Sequence, residues 1–62
     1  MYERILRVVE ERKVHGIVFT IVETVYEFGI HYVVLTNGEP GCHSVDLETC
    51  REYVQGIVDL TL

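Results

Sequence analysis

The chain has 62 residues, 48% of them hydrophobic and 24% charged, with ten acids against five bases and a net charge of −5. That length holds one domain at most, and a chain this short buries only about 60% of the surface its unfolded form exposes. The composition excludes a disordered tail and a collagen-like repeat, and two cysteines exclude a disulfide-dense scaffold.

Residues 2–13 read as a helix. Tyr2, Ile5, Leu6 and Val9 recur at i, i+3, i+4 and i+7, one apolar stripe at the helical period. Glu3 and Arg7 make a favourable i,i+4 pair, and Arg12 and Lys13 in the last turn complement the helix dipole. Gly16 then serves as the stop. A strand through Ile5–Val9 fits less well, because Leu6-Arg7-Val8-Val9 does not alternate. The opening segment is charged and lacks the long apolar core of a signal peptide. No uncharged apolar run reaches the ~20 residues that span a bilayer. A soluble, cytoplasmic protein with reduced thiols is therefore expected.

From Ile17 to Thr36 the residues are mainly Val, Ile, Thr, Tyr and Phe, the β-branched and aromatic set that favours strands. Ile17–Glu27 and Ile30–Thr36 are predicted as strands, joined by a turn near Glu27-Phe28-Gly29. Asn37-Gly38 is a strong hairpin signal, since a type I′ turn needs positive φ at both central residues. The return segment Glu39–Val45 contains Pro40, which cannot donate to a ladder and belongs at a sheet edge. A two-residue loop sets Thr36 opposite Glu39 and Tyr32 opposite His43. Asp46 is the expected N-cap of a second helix with its apolar stripe at Leu47, Cys50, Val54, Ile57 and Val58. Together these elements predict a single compact α+β domain: an antiparallel sheet of two to three strands, flanked by an N-terminal and a C-terminal helix.

The chemistry of catalysis is hard to find in this chain. Cys42 and Cys50 stand eight apart, not at the C-x₂₋₄-C spacing of structural zinc sites, so no metal site is expected. Cys42 and His43 would diverge as strand neighbours and cannot form a nucleophile–base pair. The glycines around Pro40 lack the following helix and lysine of a phosphate loop. The reading is of a protein that is not an enzyme and has no cofactor.

Charge is more informative. Residues 1–13 sum to +1, while residues 14–62 hold one arginine against seven acids, a balance of −6. Nucleic acid would be repelled over most of the chain, whereas a basic protein would be attracted. Glu48, Glu52 and Asp59 lie on one face of the second helix, spanning ~16 Å at 1.5 Å per residue. An ordinary solvated face is the plainer explanation. Joined by Glu23, Glu27 and Glu39 from the sheet, the same acids would form a surface that mimics nucleic acid and docks on a basic partner. Tyr26, Phe28 and Tyr32 are the candidate aromatic contacts, for a partner or for a second copy in a homodimeric structural or accessory subunit.

In size, acidity and lack of catalytic motifs the chain resembles the small phage-encoded inhibitors of bacterial defence systems, anti-CRISPR proteins among them. The resemblance implies an inhibitor or regulator that blocks the basic surface of a larger nucleic-acid-handling complex in the host cytoplasm. It carries over no residue, and Arg4, Arg7 and Arg12 depart from a uniformly acidic mimic.

Overall fold

The structure is a computed structural model that describes residues 4–26 and 29–61. Four strands run in chain order: β1 (Arg4–Val14), β2 (Ile17–Tyr26), β3 (Gly29–Thr36) and β4 (Glu39–Ser44). They form one antiparallel sheet in the order β1-β2-β3-β4, and a single helix, α1 (Leu47–Leu60), follows.

The expected N-terminal helix is therefore overturned, and the sheet has four strands instead of two to three. Residues 4–14 are the first strand, paired with β2 from Arg4↔Val25 to Val14↔Ile17. Two β-bulges explain the false helical period. The register shifts between Ile5 and Arg7 and again between Val8 and Glu10, so Leu6 and Val9 are extra residues. Each bulge resets the inside–outside alternation, and two resets within five residues imitate a 3.6-residue repeat. Gly16 ends no helix; it completes a hairpin turn with His15, at φ +79° and +53° respectively.

The turn expected near Glu27-Phe28-Gly29 falls mostly outside the described residues, bracketed by the pair Tyr26↔Gly29. Asn37 and Gly38 have φ of +50° and +86°, as the type I′ reading requires. Asn37 also braces β2: its side-chain oxygen accepts from the Val18 N–H at 3.0 Å, and its own N–H donates to the Val18 carbonyl at 2.8 Å.

Beyond this turn the register departs from expectation. Thr36 does face Glu39, but Tyr32 faces Ser44, and His43 faces Val33. The shift comes at Gly41, an extra residue between the pairs Leu35↔Pro40 and Val34↔Cys42.

Asp46 caps α1, its carboxylate accepting from the Glu48 N–H at 3.1 Å and the Thr49 hydroxyl at 3.4 Å. At the other end the Thr61 N–H donates to the Ile57 and Val58 carbonyls. Cys50, Val54 and Val58 are buried against Phe19 and Ile21 of β2 and Val34 of β3. Val9 and Val14 of β1, Ile17, Tyr32, Cys42, Leu47, Tyr53 and Ile57 surround that core. Burial of each large apolar side chain stabilises the fold by about 1.5–3 kcal/mol. Among the described residues no helix is long and apolar enough to cross a membrane.

Candidate interaction surfaces

The sheet has two apolar faces and one helix. Pairing places Val8, Val22, Val33 and His43 in one row across the side opposite α1. Ile5, Thr24 and His31 form the next row, with Glu11, Thr20, Leu35 and Pro40 on the other flank. Central residues of this face are already shielded by their neighbours: Val22 and Val33 are each 2% exposed. At the β1 margin Ile5 and Val8 are 45% and 57% exposed. Among the described sheet residues the formal charges on this face are one acid, Glu11, and one base, Lys13. The face is formally neutral among the described residues, buried at its centre and apolar and exposed at its β1 margin.

The predicted acids among the described residues lie away from it, and they do not gather into one patch. Glu23 is on the helix-bearing side, bound to Arg7 at 3.2 Å and with a side chain only 15% exposed. Glu48 shares Arg51 with Glu10 of β1, at 2.6 and 3.0 Å. Those two carboxylates, Glu48 foremost, hold the Arg51 guanidinium above its ordinary pKa. Arg12 donates to Gln55 at 3.3 Å, and Gln55 in turn donates to Asp59 at 2.9 Å. These contacts run α1 alongside β1 towards the His15-Gly16 turn. Arg12 and Arg51 thus tie β1 to α1, while Arg7 and Arg51 neutralise part of the acidic surface. Glu48, Glu52 and Asp59 share the exposed side of the helix, and Glu39 stands beyond its far end beside the Asn37-Gly38 turn. Glu27 lies outside the described residues.

Of the predicted aromatics, Tyr32 packs half-buried against the helix-side core and contributes nothing to the open face. The Tyr26 side chain and Phe28 lie outside the described residues.

Cys50 is on the buried side of α1, and Cys42 lies on the strand beneath it. Burial, and then the adjacent Cys42 thiol, push the Cys50 thiol from 9.0 up to about 11, so it is a packed, protonated group. No group of three or more metal-ligating side chains occurs among the described residues. His43 and His31 do meet, however, on the open face. Sequence reasoning missed this pair because it assumed an unbulged β4; the isolated Gly41 inside a strand was the available signal.

No family model, curated protein or solved structure matches the chain.

Proposed function

We propose that the chain is a non-enzymatic interaction module that pairs with a second copy through the open face of its sheet. The observation that carries this reading is the exposed apolar margin of Ile5 and Val8 on the side of the sheet opposite α1. Charge supports it: a chain of net charge −5 repels its own copy least across its one neutral face. Isologous pairing also lets Glu11 of each copy approach Lys13 of the other. A margin of two exposed apolar side chains is smaller than the ~800 Å² per partner of a standard interface, so weak self-association, micromolar or above, is expected.

Sedimentation of the wild type and Val8→Lys across about 1–300 μM tests the proposal, since those concentrations bracket a micromolar constant. A wild type that dimerises and a Val8→Lys variant that stays monomeric support it. A wild type that is monomeric throughout would sink it.

The exposed side of α1 favours a second surface on the same module. Glu48, Glu52 and Asp59 face outward there, leaving the acidic helix available to a basic protein when the sheet faces are paired. The inhibitor reading rests on this surface. Binding to a Lys/Arg-rich probe peptide should weaken in Glu48→Lys/Glu52→Lys and fall with added salt. Equal, salt-independent binding by both proteins would remove the electrostatic role.

A further inference from the structure

We propose that His31 and His43 form a chelate for one divalent transition-metal ion of tetragonal preference, Cu²⁺ or Ni²⁺. His31 lies on β3 and His43 on β4, diagonal neighbours across the same face of a hydrogen-bonded strand pair. Their rings stack with centroids 4.7 Å apart and planes 25° from parallel. Nδ1 of His31 stands 2.7 Å from Nε2 of His43, close enough for one ring to donate to the other.

The separation of the two nitrogens selects the ion. Metal–imidazole bonds are ~2.0–2.1 Å, so two nitrogens at a 90° angle lie ~2.9 Å apart and two at a tetrahedral angle ~3.3 Å apart. The observed 2.7 Å is nearer the right-angled value, which a small ring rotation reaches. Tetragonal Cu²⁺ and Ni²⁺ want that angle, and Cu²⁺ also heads the affinity order for nitrogen ligands.

The backbone beneath the pair is fixed in advance. The Gly41 bulge turns His43 to the open side; an unbulged β4 would set it opposite Tyr32, under the helix. Thr24, buried in the sheet, donates its hydroxyl to the His31 carbonyl at 3.5 Å. A pair carried by two rigid strands loses little freedom on binding an ion. Chelation takes place within one chain and does not rest on the pairing of copies.

The test is titration of chelator-free protein with NiCl₂ or CuCl₂ in a non-coordinating buffer, followed by calorimetry and by amide NMR. One ion per chain is expected, with Cu²⁺ broadening confined to amides around residues 31–33 and 42–44. His31→Gln and His43→Gln should each weaken binding by at least about a hundredfold, beyond the ~10–100-fold that loss of a supporting contact causes. His15→Gln should leave it unchanged. Broadening centred elsewhere, wild-type affinity in either variant, or no binding at about 1 mM ion (a constant too weak to count as chelation) would overturn the proposal. The wild-type broadening map decides the matter even if a variant folds poorly.

Discussion

The hydroxyl of Tyr53 occupies the place where residue 41 would carry a side chain. A Cβ on Gly41 would lie 2.8 Å from Tyr53 Oη, with Cζ at 3.5 Å. The bulge on β4 and the close seating of α1 thus share one requirement, a residue without a side chain at this position. Gly41→Ala is expected to destabilise the fold by about 1–3 kcal/mol, the usual range for overpacking. Tyr53→Phe removes the atom in conflict and leaves an ordinary contact, so the double variant should recover much of the loss. Urea denaturation of the four proteins measures the coupling; strictly additive effects would show that the two residues do not conflict.

The two hairpin turns of positive φ are unequally suited to their residues. Asn37 is at home at φ +50°, and His15 holds φ +53° with a weaker preference than asparagine has for a type I′ turn. His15→Asn should therefore stabilise the chain by about 0.5–1 kcal/mol, a typical gain from relieved turn strain. Asn37→Ala loses both the turn preference and the acceptor for Val18, and should cost about 1–2 kcal/mol. Thermal melts of the two variants, moving in opposite directions, are the expected result; a His15→Asn variant no more stable than wild type would contradict it.

Asp46 joins β4 to α1 as an N-cap. Its replacement by alanine should cost about 1 kcal/mol, and replacement by asparagine, which still accepts from the Glu48 N–H, much less. The measurement is the urea midpoint at unchanged slope. Equal losses in the two variants would mean that the carboxylate charge, not its acceptor oxygen, matters.

Cys50 makes stability depend on alkaline pH. Its folded pKa of about 11 lies above the ordinary 9.0, so the folded chain keeps a proton that the unfolded chain releases. The contribution is complete below pH 9 and declines, by up to about 1.4 kcal/mol per unit, as pH rises towards 11. Cys50→Ala should flatten this part of the profile at some loss of packing. In native protein a thiol reagent should modify Cys42 well before Cys50; equal rates would show that Cys50 is not sealed.

The sequence was most legible where a signal is local. Asn37-Gly38 named its hairpin, Asp46 its helix, and Leu47, Cys50, Val54, Ile57 and Val58 the buried stripe, because each acts through neighbours a few residues away. Residues 4–14 were misread for the opposite reason. Their apolar period is set by two bulges, and a bulge exists only against a partner strand. The charged candidates divide in the same way: the helical spacing of Glu48, Glu52 and Asp59 could be counted, whereas the ties of Glu23 to Arg7 and of Glu48 through Arg51 to Glu10 join elements distant in sequence.

By itself the sequence determined an acidic chain with an amphipathic helix after a strand-rich middle. Composition and nearest-neighbour chemistry are enough for that. Tertiary structure alone decided that the first segment is a strand, that one helix covers only one of two apolar faces, and that His31 stands beside His43. Those outcomes hang on register, and moving a strand by one residue exchanges its two faces. A single extra glycine at position 41 therefore determines which face of the protein His43 serves.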